Sequence, residues 1–427
     1  MKCMKNFVCT GLQVGIILMC AILIGGGLIA VAYLIPTDHM DQHMKESAKI
    51  LEKEGVFPEL ASYCTSQLDN WTDSTMLLTA SYDGKESLMD KAMLVYYKRI
   101  EGKNPQEGLV DYYLGENRDI YMGHYPRYWH GYLIFLKPIL YLMDYGMIRI
   151  VNCAIQMILN LYLSFLMYRR NKKQYIIPYL IAVIFITPWA IAKSLQFSTI
   201  FYIFLIGSIV LLIFDDKIVK NKNNIRIFFL IIGIATSYFD FLTYPLAAFG
   251  IPFLFFLLLK EREQIDKELL FEIQLLFFWG IGYIGMWGGK WILATIFTEE
   301  NIIEDALRTL MFRTGATNEQ GAHCSVFHVW NVNITAFLKN PVIVGAMIFC
   351  IYEIWNIIKR KKLKELLLRG TVYFPVIMLP LIWYVFTRNH SWPHYFFTNK
   401  ALIISAFGGM SWLVSVLDEK AERGIFI

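Results

Sequence analysis

Apolar runs long enough to cross a bilayer recur along most of this chain, and they constrain its fold more than any other feature. A helical span needs about 20 mostly apolar residues. The first run is Leu12–Ile35, behind Lys2 and Lys5. It is too long for the apolar core of a cleaved signal, and no small-x-small site follows it, so it reads as an uncleaved anchor. Nine further runs follow, at about 147–168, 175–191, 195–214, 225–242, 244–259, 270–294, 341–358, 371–387 and 398–417. Gly131–Met143 is shorter and carries Pro138, which fits an interfacial or re-entrant helix. Only 18% of the residues are charged, against about 25% in a soluble domain, and this excludes a disordered chain or an ordinary cytosolic enzyme. The predicted fold class is all-α: a polytopic integral membrane protein of about ten transmembrane helices. Residues 1–35 form the anchor, 36–146 a largely helical extracytoplasmic segment, and 147–427 a multi-span domain with a second external segment at about 295–340.

Charge placement sets the orientation. With both termini in the cytoplasm, the inner segments hold 21 of the 40 Lys and Arg residues, as the positive-inside rule requires. The densest runs are Arg169-Arg170-Asn171-Lys172-Lys173 and Lys359-Arg360-Lys361-Lys362. This orientation puts all eight histidines on the outer side. Cys64 and Cys324 are the two external cysteines, one in each long external segment, a placement that would permit a bridge. The glycines at 25–27 and 285–289 lie in spans and suit close helix packing. The plasma membrane is the expected location.

The outer face carries the candidate chemistry. Met40, Met44, Ala48 and Leu51 recur at helical spacing behind Asp38 and Asp41, as in an amphipathic helix at the membrane surface. Asp69 and Asp73 are four apart, the spacing of paired carboxylates on one helix face; capping of the helix STMLLTA by Thr72 or Asp73 explains them equally well. His124, Arg127 and His130 are interleaved with Tyr and Trp just before an apolar segment, either as an aromatic belt or as an anionic head-group site. Lys193 and Asp240 lie at outer span ends, Arg313 lies in the second external segment, and Arg388, Asn389, His390 and His394 share one turn. An ionisable group at membrane depth is costly and points to function. No phosphate-cradling glycine loop, GxSxG or HExxH motif is present.

With its N-terminal anchor, large acidic first external segment and many spans, the chain resembles the GT-C superfamily of membrane glycosyltransferases. The stretches YPRYWHG and NHSWPH are similar to external turns of such proteins. The adjacent acidic pair and the WWD-type motif of that superfamily are absent. The resemblance implies inverting transfer of a sugar from a polyprenyl-phosphate donor to an extracytoplasmic acceptor of the cell envelope. Asp73, Asp69, Asp38 or Asp41 would be the base, and the Arg and His groups would stabilise the leaving phosphate. No cofactor is required, although a divalent cation could take part. The partners are the lipid-linked sugar and the bilayer, with no nucleic acid. The alternative is a transporter or flippase for lipid-linked saccharides, which internal repeats and midplane charges would favour; no repeat is visible.

Overall fold

The computed structural model describes residues 2–115, 120–260, 269–317 and 321–418. Helix α1 (Lys2–Ala32) is followed by a polar segment containing α2 (Met40–Glu54), α3 (Asn70–Ala80), α4 (Leu88–Leu94) and α5 (Pro105–Leu114). Strands β1 (Tyr96–Ile100) and β2 (Ile120–His124) pair antiparallel, with Tyr96 opposite His124. Met40, Met44, Ala48 and Leu51 form the buried stripe of α2, as their spacing predicts. The cap of α2 is His39, which makes no side-chain bond, and Asp38 and Asp41 are exposed beside it.

The remaining helices are α6 (Leu133–Leu142), α7 (Tyr145–Arg169), α8 (Ile176–Phe185), α9 (Pro188–Lys193), α10 (Leu195–Ile213), α11 (Asp215–Ile218), α12 (Lys222–Phe239) and α13 (Leu246–Leu259). After the undescribed residues 261–268 come α14 (Leu269–Phe297), α15 (Ile302–Thr314), α16 (Val326–Leu338), α17 (Ile343–Lys359), α18 (Leu363–Phe386), α19 (Arg388–Ser391), α20 (Tyr395–Thr398) and α21 (Ile403–Leu417).

Among the described residues, six helices are long and apolar enough to cross a membrane, or seven if α16 and α17, bent by 92°, count as one span. The sequence reading of about ten differs for physical reasons. The run 175–191 is broken where Thr187 takes a left-handed φ of 56° before Pro188, which cannot continue a helix hydrogen-bond ladder. At 14 residues, α13 is only about 21 Å long, and it is buried on nearly every side. The basic turn expected at 260–269 lies largely outside the described residues.

The long helices meet through glycine. A Cβ on Gly233 would lie 2.0 Å from the Trp279 carbonyl oxygen, and one on Gly282 would lie 2.2 Å from that of Leu230. The backbones of α12 and α14 therefore touch, as small-residue packing in membranes allows. Leu18 and Ile22 of α1 fill the hollows over Gly285 and Gly289 in the same helix.

Candidate functional site

Two groups of polar side chains lie where the 36–144 segment meets the long helices. The first centres on Asp73, which is fully buried. Its carboxylate accepts from the Tyr145 hydroxyl, from Ser194 Oγ at 3.2 Å, and from the backbone N–H groups of Leu195 at 2.9 Å and Gln196 at 3.1 Å. The last two are orphan donors at the start of α10, where a carboxylate complements the helix dipole. Arg149 donates to the Tyr145 hydroxyl at 2.9 Å, Asn70 Oδ1 at 3.2 Å, Glu54 Oε1 at 2.7 Å and the Lys193 carbonyl at 2.7 Å. Burial holds the Asp73 carboxyl above its ordinary value against the opposing pull of these donors. Asp69 takes the capping role: it accepts from the Thr72 N–H at 3.0 Å and the Thr72 hydroxyl at 2.9 Å. Burial pushes its carboxyl up to about 7.

Three buried lysines dock the same segment. Lys137 donates to the Ala80 carbonyl at 2.7 Å, Lys290 to those of Ala92 and Met93 at 2.8 and 2.9 Å, and Lys400 to that of Thr65 at 2.6 Å. Ala80, Ala92 and Met93 end α3 and α4, so cations satisfy carbonyls that a helix end leaves open.

The second group surrounds Arg313, in the last turn of α15. Its Nη1 donates to the Tyr128 hydroxyl at 3.0 Å and to His390 Nδ1 at 3.3 Å. His390 Nε2 then donates to the Leu242 carbonyl at 2.7 Å, which fixes a neutral tautomer. Burial, then the charge of Arg313, holds His390 well below its ordinary value, and the same causes bring His394 down to about 4. The two rings lie 4.8 Å apart. Asn389 ties the turn to α15 through the Phe312 and Thr317 carbonyls, at 3.0 and 2.9 Å. Asp240 lies across the cluster and closes its own turn onto Thr243. Arg313 is half-buried and pairs with no carboxylate among the described residues. The buried Tyr283 hydroxyl, within electrostatic reach of Arg313 and Tyr128, has no hydrogen-bond partner, nor has Trp287 Nε1. Native structures rarely leave such donors unmatched.

The fold thus gathers Asp240, Arg313, Asn389, His390 and His394. It places the other sequence candidates differently. His130 lies against this cluster through Phe241, but it is buried, with Nε2 on the Tyr125 carbonyl at 2.8 Å and Nδ1 on the Tyr132 hydroxyl at 3.1 Å. Burial lowers it to about 3, so it stays neutral. Arg127 pairs with Asp305 at 2.7 Å and His124 with Glu300 at 3.0 Å, both at the rim. The Lys193 side chain is exposed, and its carbonyl belongs to the Asp73 network. Arg388 is half-buried, and its Nε has no partner. Cys64 and Cys324 are free thiols. Among the described residues, no group of three or more His, Cys, Asp or Glu could hold a metal ion. Tyr145, Arg149, Lys137 and Lys290 escaped the sequence reading. The signal for three of them was a lone cation within an apolar run, in GMIRIVN, LIFLKPIL and MWGGKWIL.

A groove of about 910 Å³ opens beside the Asp73 network; its walls include Phe135, Ile148, Tyr202, Ile206, Phe228 and Ile231. Leu195, whose N–H meets Asp73, lines its mouth. Tyr132 also lines it, and its ring lies 5.4 Å from that of Phe241, itself 5.3 Å from Tyr128, neither of which reaches the groove. No family model, curated protein or solved structure matches the chain.

Proposed function

We propose that the protein is a membrane glycosyltransferase that moves a sugar from a polyprenyl-phosphate donor to an extracytoplasmic acceptor. The observation that carries this reading is Arg313, half-buried with neutral partners beside the unmatched Tyr283 and Trp287 donors. The donor's phosphate would meet Arg313, Tyr128 and the open donors beside them, and its isoprenoid chain would lie against the apolar helix faces nearby. A half-buried guanidinium without a carboxylate suits an anionic ligand, and preorganised donors stabilise the charge that develops on a leaving phosphate. Asp73 is fully engaged by its donors. Asp69, held at about 7, has the proton affinity that a general base needs near neutral pH. In this reading both termini are cytoplasmic, residues 36–146 face outward, and the short helices bring the crossings toward ten.

The groove also favours a second reading, as a flippase for lipid-linked saccharides. It continues to Ile218 of α11 and Asn224 at the start of α12, past the polar Asn152, Ser198 and Tyr202. The deciding experiment supplies purified protein in vesicles with a polyprenyl-phosphate sugar and measures both transfer and movement between leaflets. The expected result is transfer in the wild type, loss of about 100-fold or more in Arg313→Ala, and a similar loss in Asp69→Asn. Movement without sugar transfer would replace the enzyme reading with the flippase. Full transfer by both variants would displace the site.

A further inference from the structure

The two densest basic runs of the sequence, far apart along the chain, converge on one cavity, and neither group described above uses it. Each run ends a long apolar helix in the same way. Asn171 after α7 and Lys361 after α17 both take a left-handed φ of 57°. The next N–H in each case turns back, Lys172 to the Met167 carbonyl at 2.8 Å and Lys362 to that of Ile357 at 3.0 Å. Cations at helix C-termini offset the dipole, which accounts for basic residues at each end separately. It does not account for the space between them.

That space is a cavity of about 610 Å³, lined by Arg169, Asn171 and Lys173 from the first run, Arg360 from the second, Glu353 of α17, and Asp418 after α21. Asp418 is occupied by Gln174 Nε2 at 2.8 Å. Arg169 and Lys173 are exposed and pair with no carboxylate among the described residues. Next to this polar chamber, α7 presents Phe165 and α17 presents Ile354 and Ile358, all exposed. The Arg169 guanidinium lies 6.0 Å from the Phe165 ring. The site therefore joins three basic side chains, Arg360 within electrostatic reach of Glu353, to exposed apolar side chains, at the end of the helices that the positive-inside rule turns toward the cytoplasm.

We propose that this cavity binds the head group of an anionic phospholipid in the adjoining leaflet. The phosphate meets Arg169, Lys173 and Arg360, and the acyl chains run along Phe165, Ile354 and Ile358. Charge favours such a ligand, because the cytoplasmic leaflet is rich in anionic lipid and basic pockets between membrane helices collect its head groups. The apolar wall distinguishes a lipid from a soluble phosphate. The inference is independent of the chemistry proposed for the opposite face.

The test reconstitutes the full chain in phosphatidylcholine nanodiscs with and without phosphatidylglycerol, then counts retained lipids by native mass spectrometry. The expected wild-type result is retention of phosphatidylglycerol over phosphatidylcholine by about tenfold. An Arg169→Gln, Lys173→Gln, Arg360→Gln variant loses that preference, whereas Lys217→Gln, Lys220→Gln, in a different basic turn, keeps it. Arg169→Gln and Lys173→Gln alone change exposed residues and keep the test readable should the triple variant fail to purify. Wild-type preference in the triple variant, or in both single variants where that one is lost, overturns the proposal. Displacement of the lipid by soluble glycerol phosphate as readily as by phosphatidylglycerol also overturns it, in favour of a free phosphate site.

Discussion

In the seam between the 36–144 segment and the long helices, Asp73 meets four donors, and Lys137, Lys290 and Lys400 each meet carbonyls at a helix or turn end. Around Arg313 the same kinds of groups are left partly unmatched: the guanidinium meets the neutral Tyr125, Tyr128 and His390, and the Tyr283 hydroxyl and Trp287 Nε1 have no partner. Both regions hold polar groups away from water and both leave some unmet, Ser74 Oγ and Gln196 Oε1 beside Asp73 as well as Tyr283 and Trp287 beside Arg313, but only Asp73 has its charge met on every side. A charge met on every side holds structure together, while a cation with only neutral partners is what the proposed anionic ligand would use.

Substitutions should separate the two regions. The largest expected effect is at Asp73→Ala, which strands Tyr145, Arg149 and the start of α10. A loss of about 3–5 kcal/mol is expected on breaking such a buried charged network, read as a fall in the melting temperature of the detergent-solubilised protein. Arg313→Ala should leave melting nearly unchanged while abolishing transfer; the reverse pattern would exchange the roles of the two regions. Next is Lys290→Met, which leaves two carbonyls unmet and should cost about 1–3 kcal/mol.

A smaller effect follows from Asp69. Its carboxyl sits near 7 in the folded chain and at about 3.9 when unfolded. Between these values the folded state binds the extra proton, so its contribution to stability is lost as pH rises from about 4 to about 7, by at most about 1.4 kcal/mol per pH unit. Asp69→Asn should flatten that part of the pH–stability curve, and an unchanged slope would assign it to another group. The smallest effect belongs to Arg127→Ala at the rim, where the partly exposed pair with Asp305 is worth about 0–1 kcal/mol.

Much of the architecture was legible in the sequence because apolar run length and the α2 stripe are local properties. The α16–α17 bend and the interior position of α13 were not, since both depend on what the neighbouring helices cover. The site divided in the same way. The turn 388–394 was visible as an unusual density of ring and guanidinium groups, and two of its members, Asn389 and His390, do meet the end of α15. The spacing of Asp69 and Asp73 left pairing and capping open. The structure gives the cap to Asp69 and turns Asp73 toward a helix 122 residues away, which no local pattern could reveal. His130 looked like a ligand-binding group because its partners, the Tyr125 carbonyl and the Tyr132 hydroxyl, become visible only once the loop is folded.

The backbone contact between α12 and α14 at Gly233 and Gly282 has a mechanical consequence. Two helices that touch through main-chain atoms have no side-chain layer to deform, so they move as one rigid beam. One bank of the apolar groove belongs to that beam, through Phe228, Ile231 and Ala235. The opposite bank is α7 with α10, and α10 begins at a break after α9. Any widening of the groove must therefore come from that side, where Asp73 ties the start of α10 in place.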